Sequence, residues 1–140
     1  MWTVDDGIAV LRERGAKITA QRIAILQKLE GRKDHPSAET LYRELSSEYA
    51  TMSVATLYST AQLLAEAGLI KILSIDDKRV YFDPTTETHG HFLCRKCGKL
   101  FDIPVNDEIF RSASTVRDNI AQIEHTEIFF YGLCSDCLKI

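Results

Sequence analysis

Apolar residues recur at helical spacing in four stretches near the start of the chain, and a capping residue or a glycine bounds each stretch. Serine and threonine favour the position before a helix because their side chains accept a hydrogen bond from a free amide. Glycine favours the position after the last turn because it adopts a positive φ without strain. The pattern therefore predicts helices over four segments: Asp5–Arg14, Thr19 to Gly31, Ser37 past Leu45, and Ser53–Ala67.

Two β-strands are predicted directly after these helices. The apolar-rich runs Ile70–Ile75 and Arg79–Phe82 flank the polar turn Asp76–Lys78. Helix, short turn, helix and hairpin is the order of a winged helix-turn-helix, whose second helix enters the major groove of DNA. Protein–protein modules share this order, so the pattern alone leaves both functions open.

The C-terminal part predicts a smaller unit of mixed structure. Two strands are expected around the first thiol pair, then a helix over Asn106–Arg117 and a long strand over Gln122–Leu133. We place domains at 1–82 and 83–140, which makes the fold class α+β, with a small α/β domain after the winged helix. Because 58 residues bury little core, this second domain is expected to need stabilisation beyond its own apolar packing.

Composition narrows the functional classes only a little. The chain has 140 residues, 45% of them hydrophobic, and a formal net charge of −3. Residues 1–82 hold 11 basic and 11 acidic side chains, so a basic face remains possible in that part. No apolar run approaches the length of a membrane span, and no basic-then-apolar leader opens the chain. A cytoplasmic protein without a membrane partner is expected.

The proposed recognition helix, Ser53–Ala67, contains no lysine or arginine. Its polar candidates Thr56, Tyr58 and Ser59 can hydrogen-bond base edges or phosphates but supply no charge. Positive charge is expected from the flanks of the motif, at Lys17, Arg22, Lys78 and Arg79.

All four cysteines lie in two C-x-x-C pairs, Cys94 with Cys97 and Cys134 with Cys137. Two such pairs supply the four thiolates of a closed, tetrahedral, structural Zn²⁺ site. A dithiol redox motif needs only one pair on a βαβ unit, which the pattern does not show. Disulfides need an oxidising compartment, and nothing in the sequence indicates one.

Histidines and aspartates suggest a second metal site. His89 and His91 lie two residues apart, so in a strand they share a face, and a hairpin would bring Asp102 opposite His91. His35 lies where a helix begins, and Asp83 lies where the winged half ends. Three imidazoles and two carboxylates suit Fe²⁺ or Mn²⁺, and also Zn²⁺ or Co²⁺.

Together, five stretches resemble the ferric uptake regulator family over nearly the whole length of the chain: Thr19–Arg22, His35–Ala38, Ser53–Tyr58, His89–Gly98 and Tyr131–Cys137. The resemblance implies a homodimeric, metal-dependent transcription factor, usually a repressor, that binds double-stranded operator DNA. It implies no enzymatic activity.

Within the family, the chain is most similar to the peroxide-responsive repressors. That resemblance implies a regulatory Fe²⁺ or Mn²⁺ site with the ligands His35, Asp83, His89, His91 and Asp102. It also implies that peroxide, the only small molecule expected, acts as a signal by oxidising the ligand histidines when iron is bound. The alternative is an iron or other metal uptake regulator without peroxide sensing. Iron-sensing members more often carry glutamate at the two aspartate positions.

A further metal site of some relatives retains two of its ligands here, Glu108 and His125, while Thr88 and Gly90 replace the others. Two other classes of protein also stay open. A catalytic metal enzyme is one, although five protein ligands leave little room for a substrate. A zinc-stabilised adaptor that binds only protein is the other.

Overall fold

The structure, a computed structural model, describes residues 1–75, 79–85, 89–109, 118–123 and 126–139. The chain divides into two compact units, Met1–Thr86 and Glu87–Ile140. Within the described ranges, no helix combines the length and the apolar character needed to cross a membrane. The fold class is α+β, as predicted from the sequence.

The first unit begins with four helices: α1 (Val4–Glu13), α2 (Ala20–Leu29), α3 (Ala38–Glu48) and α4 (Val54–Glu66). The predicted capping residues Thr19, Ser37 and Ser53 each accept a hydrogen bond from an amide of the first turn. Thr3 does the same for α1 and forms a capping box with Asp6. All four predicted helices are confirmed, with ends shifted by one to three residues.

The four helices enclose one apolar core. Its fully buried members include Leu11, Ile25, Leu41, Leu57 and Leu64. The buried face of α4 is made by Leu57, Thr60, Ala61 and Leu64, at the spacing i, i+3, i+4 and i+7.

Val54, in the first turn of α4, does not belong to that core and is 46% exposed. An apolar residue is therefore presented at the start of the proposed recognition helix.

The hairpin is shorter than predicted. Strands β1 (Lys71–Leu73) and β2 (Tyr81–Asp83) are antiparallel, and Lys71 pairs with Asp83 at one end. The predicted end at Phe82 is thus one residue early, since the opposite charges of this last pair favour its inclusion. The chain leaves β1 at Ser74, and its turn at 76–78 lies outside the described residues.

The segment before α3 docks on the free edge of β2. The amide of Phe82 donates to the carbonyl of Pro36 at 2.9 Å, and that of Ala38 donates to Val80 at 2.9 Å. Ser37 forms an isolated β-bridge with Tyr81 between these bonds. The residues just before Pro36 are therefore held at the end of the hairpin.

The second unit contains a three-stranded sheet in the order β4-β3-β5. Strand β3 (Gly90–Cys94) pairs antiparallel with β4 (Leu100–Ile103) and parallel with β5 (Phe129–Gly132). Our prediction of a long last strand from Gln122 is wrong, because residues 120–123 and 126–128 lie outside any strand. The ladder between β3 and β5 has four paired positions, from His91 opposite Phe129 to Cys94 opposite Gly132.

The predicted helix over Asn106–Arg117 is described only at its start, where residues 107–109 are helical. Its remaining residues lie outside the described ranges.

Candidate functional site

The four cysteine sulfurs converge in the second unit, where one ligand atom from each lies within 4.8 Å of the others. Two of them, on Cys97 and Cys134, are 3.8 Å apart. A tetrahedral Zn²⁺ with bonds of ~2.3 Å places its sulfurs ~3.8 Å apart, so the geometry fits this ion. Cys94 ends β3 and Cys134 follows β5, so the parallel pair of strands brings the thiols together.

Backbone amides stabilise the thiolate form of one cysteine in this cluster. They lower the pKa of Cys94 to about 5, through hydrogen bonds from the amides of Cys97 and Cys134. Hydrogen bonding to the Cys134 sulfur raises the pKa of Cys137 to about 12, because four crowded sulfurs cannot all ionise without a cation. The donor set is therefore one that a soft divalent cation completes.

His35 and Asp83 meet in the first unit. The Nε2 atom of His35 lies 3.4 Å from Oδ2 of Asp83, and both residues are buried, at 3% and 0% exposed. The other carboxylate oxygen of Asp83 accepts the Thr85 amide at 2.9 Å. The docking of residues 36–38 on β2 produces this meeting, because it places the residue before Pro36 beside the residue after Phe82.

His89, His91 and Asp102 meet in the second unit. His91 lies directly opposite Asp102 in the β3–β4 ladder, as predicted from the hairpin. The Nε2 atoms of His89 and His91 are 3.0 Å apart. Oδ1 of Asp102 lies 3.0 Å from Nε2 of His89 and 3.8 Å from Nε2 of His91. Two nitrogens bound at ~2.1 Å and at right angles around one ion would be ~3.0 Å apart, so this spacing suits a divalent metal.

The candidate DNA-contacting residues of α4 are at least partly accessible. Tyr58 and Ser59 are exposed and Thr56 is half-buried. The ring of Tyr58 contacts Phe82 edge to face, with centroids 6.4 Å apart, while 41% of the residue stays accessible. The strand that carries Asp83 thus also supports an aromatic ring of the proposed recognition helix.

The flanking cations differ in their exposure. Lys17 and Arg79 are exposed, whereas Arg22 is half-buried and donates one bond of 2.8 Å to the carbonyl of Lys17. Lys17, Arg22 and Thr56 help to line an open groove of about 740 Å³. Lys78 lies outside the described residues.

The further site suggested by the resemblance has one described member, Glu108, which is exposed. Its other candidate, His125, lies outside the described residues, so the pair stays a prediction.

Sequence reasoning missed two residues around His35 and Asp83. Trp2, the single tryptophan, donates its indole N–H to the carbonyl of Pro84 at 3.3 Å and is 8% exposed. Arg32 binds the carboxylates of both Asp34 and Glu44. Trp2 could have been noticed in the sequence, because a large apolar side chain is expected to be buried. The partners of Arg32 could not, because only the fold determines them.

The first unit has the element order of a winged helix, and the second unit holds four convergent thiols, so the class is a winged-helix protein with a metal-binding domain. Comparison with known proteins identifies the family. The Ferric uptake regulator family model matches residues 13–131. The chain belongs to this family.

Three relatives illustrate the range of similarity. The peroxide-responsive repressor PerR of Staphylococcus saprophyticus is 38% identical over 136 residues, covering 96% of this chain and 90% of that protein. The structure of Streptococcus pyogenes PerR, described in terms of peroxide sensing and gene regulation, has a TM-score of 0.54 and 28% identity, covering 98% and 94% of the two chains. The Helicobacter pylori ferric uptake regulator Fur has a TM-score of 0.81 at 18% identity, covering 99% and 96%, and shares the fold.

Proposed function

We propose that this protein is a metal-dependent, DNA-binding transcriptional repressor that senses peroxide through oxidation of histidines that bind a regulatory metal. The observation that carries the proposal is that each unit holds an imidazole–carboxylate pair, His35 with Asp83 at 3.4 Å in the first unit and His89 with Asp102 at 3.0 Å in the second. Family membership and the similarity to peroxide-responsive repressors support the same function.

The thiols would hold the structural Zn²⁺. A closed set of four sulfurs leaves no position for a substrate, so this ion would stabilise the second unit rather than react. It would join the turn after β3 to the turn after β5. Thiolates bound to zinc would also not be available for redox sensing.

The regulatory ion, Fe²⁺ or Mn²⁺, would take His35 and Asp83 from the first unit and His89, His91 and Asp102 from the second. Only residues 84–88 separate Asp83 from His89, a reach of at most ~20 Å along the chain. Two carboxylates would neutralise a divalent cation, and nitrogen with oxygen donors suits these metals. Sharing ligands between two units would let the ion select one arrangement of the DNA-binding parts.

The DNA-binding domain would be the N-terminal one, predicted at 1–82, and the dimerisation domain the C-terminal one, predicted at 83–140. Tyr58, Thr56 and Ser59 would contact base edges, and Lys17, Arg22, Lys78 and Arg79 would contact phosphates. The exposed aromatic residues Phe101, Phe130 and Tyr131 on β4 and β5 support pairing with a second copy. A homodimer would present two recognition helices to a palindromic operator.

Fe²⁺, when bound, would activate H₂O₂, and Mn²⁺ does this chemistry poorly. The protein would hold an imidazole ring against the ion, so that the ring is oxidised by one oxygen atom of the peroxide while the other oxygen leaves as water. His35 and His89 are the rings implied by the resemblance to peroxide sensors. An oxidised ring would no longer offer the same ligand nitrogen, and DNA would be released.

The test compares the zinc-loaded protein with Fe²⁺ and with Mn²⁺, before and after brief exposure to H₂O₂. DNA binding is measured by gel shift, and peptides containing His35 or His89 are weighed by mass spectrometry. We expect loss of binding and one added oxygen atom in the iron form only. Unmodified histidines and retained binding in both forms would leave an uptake regulator that responds to metal without sensing peroxide. Binding that is equal with and without either metal would contradict the regulatory site itself.

A further inference from the structure

Arg32 holds two carboxylates at once, in the loop between α2 and α3. Its Nε and Nη2 atoms lie 2.6 and 3.0 Å from the oxygens of Asp34. Its Nη1 and Nη2 atoms lie 2.6 and 2.8 Å from the oxygens of Glu44, which belongs to α3. Both edges of the guanidinium plane are therefore occupied by bidentate pairs, the geometry in which arginine best fixes a carboxylate.

The burial of this cluster separates it from an ordinary surface ion pair. Arg32 keeps only 17% of its side chain exposed, whereas the exposed fractions of Asp34 and Glu44 are 62% and 36%. Hydrogen bonds from Arg32 hold the pKa of Glu44 and that of Asp34 below their ordinary values, and the carboxylates raise the pKa of Arg32. The side chains of Arg32, Asp34 and Glu44 are therefore all charged in the folded protein at neutral pH.

The next residue after Asp34 is His35, whose backbone is unusual. His35 has a φ of +50°, the only positive value among the described residues that are not glycine. L-residues adopt this left-handed conformation at a cost, so the surrounding structure must impose it. On its C-terminal side the docking of residues 36–38 on β2 does so. On its N-terminal side, Asp34 is held by two hydrogen bonds from Arg32, at 2.6 and 3.0 Å.

We propose that Arg32 is a positioning residue for the metal ligand His35. By tying Asp34 to Glu44 of α3, Arg32 would hold the backbone of His35 in its left-handed conformation and its imidazole towards Asp83. The inference rests on the proposed function, since it gives Arg32 a role in metal affinity. It adds a residue outside the ligand set that acts through the main chain.

The sign of the expected effect distinguishes this role from simple electrostatics. Arg32 is a cation near a proposed cation site, so removing its charge would by Coulomb's law strengthen metal binding. Loss of the clamp would instead let His35 relax and would weaken metal binding. The two explanations predict opposite changes for Arg32→Met.

The experiment titrates the zinc-loaded, full-length protein with Mn²⁺ and follows free Mn²⁺ by electron paramagnetic resonance. Arg32→Met is expected to weaken Mn²⁺ binding about 10-fold, the lower end of what outer-shell partners of metal ligands contribute. Arg32→Lys keeps the positive charge but cannot form two bidentate pairs, so its Mn²⁺ affinity should lie between those of the wild type and Arg32→Met. Arg14→Met is the matched control, because it removes the exposed ion pair with Glu66 from the same unit and should leave Mn²⁺ affinity unchanged.

A double variant tests whether Arg32 acts through His35. In a His35→Ala background, Arg32→Met should cause no further loss of affinity, because the ligand that it positions is gone. Thermal unfolding of the metal-free variants supplies the second readout, and Arg32→Met and Arg14→Met should leave the protein folded at the titration temperature. Unchanged or tighter Mn²⁺ binding by Arg32→Met, or a full additional loss in the His35→Ala background, would overturn the proposal. If His35→Ala alone leaves Mn²⁺ affinity at the wild-type value, the proposed function fails first and the positioning role fails with it.

Discussion

The amide of Phe82 donates a 2.9 Å hydrogen bond to the carbonyl of Pro36, and each of these residues is a sequence neighbour of a buried candidate ligand. The bond fixes the relation between His35 and Asp83 without involving either side chain. It also extends the hairpin by a short third segment, with Ser37 bridged to Tyr81. The segment that begins α3 is therefore hydrogen-bonded to the hairpin of the winged helix as an extra strand.

Replacement of Cys97 by serine is expected to remove zinc from the second unit. Cys97 is exposed, so the substitution leaves no cavity, and its effect reports on the metal alone. Loss of a direct ligand should reduce zinc affinity by more than the ~100-fold that an outer-shell partner contributes. Zinc content and urea unfolding measure the effect, with Ser135→Ala in the second thiol turn as the control. A zinc-free Cys97→Ser protein with wild-type stability would refute the structural role.

Tyr58→Phe should separate base contact from packing in α4. The substitution keeps the edge-to-face contact with Phe82 and removes only the hydroxyl group. If the hydroxyl reads a base, preference for the operator over unrelated DNA should fall by ~1–3 kcal/mol, while the unfolding midpoint stays constant. Tyr58→Ala should lose both, since it also removes the ring. Fluorescence anisotropy with the two DNAs gives the preference, and an unchanged preference in Tyr58→Phe would exclude the hydroxyl from base contact.

The paired thiols and the caps of the helices could be predicted from the sequence, because both depend on short spacings. Thr19, Ser37 and Ser53 each cap a helix within three residues of themselves. The opposition of His91 and Asp102 was also predictable, since a hairpin around one thiol pair sets the register. These predictions needed no knowledge of distant contacts.

Other features depend on contacts that the sequence does not specify. The parallel pairing of β5 with β3 joins residues more than thirty positions apart in the chain. Arg32 could pair with any nearby acid, and only the packing of α3 selects Glu44. Apolar periodicity therefore identified the elements but not the tertiary partners.

The Arg32–Glu44 pair should contribute stability that depends on pH. Arg32 holds the pKa of Glu44 below its ordinary value, so the contribution is present above about pH 4.5 and is lost as the pH falls through the lower, folded-state pKa. Because Glu44 is partly exposed, the contribution should be no more than ~1 kcal/mol. Urea unfolding of the wild type and Glu44→Gln should differ most near neutral pH and converge in acid. The control is Glu66→Gln, which removes the Arg14 pair, and a difference between wild type and Glu44→Gln that grows in acid would contradict this pairing.

Gly90 separates the two adjacent candidate ligands His89 and His91, and its lack of a side chain is a packing requirement. A β-carbon there would lie 3.1 Å from Cε2 of Phe130 and 3.4 Å from the carbonyl oxygen of Ile128. Both atoms belong to the segment that forms or precedes β5, whose parallel pairing with β3 holds the sheet together. Gly90→Ala should therefore force the Phe130 ring to shift by a few tenths of an ångström, and overpacking of this kind should destabilise the second unit by ~1 kcal/mol.

The comparison variant is Gly132→Ala, because a β-carbon at that position meets only the tip of the Phe92 ring, at 3.3 Å. At both positions the nearest atom is the far end of a phenylalanine ring, but that atom lies at 3.1 Å from the added carbon at Gly90 against 3.3 Å at Gly132, so Gly132→Ala should be less costly. Urea unfolding of the zinc-loaded proteins measures the stability, and Mn²⁺ titration measures the consequence for the two histidines. Gly90→Ala should lose both stability and Mn²⁺ affinity, because Gly90 lies between the two histidines at the start of β3 and a shift of its backbone moves both. Equal stability of the two alanine variants would show that the Phe130 ring yields freely and that the spacing of the histidines does not depend on it.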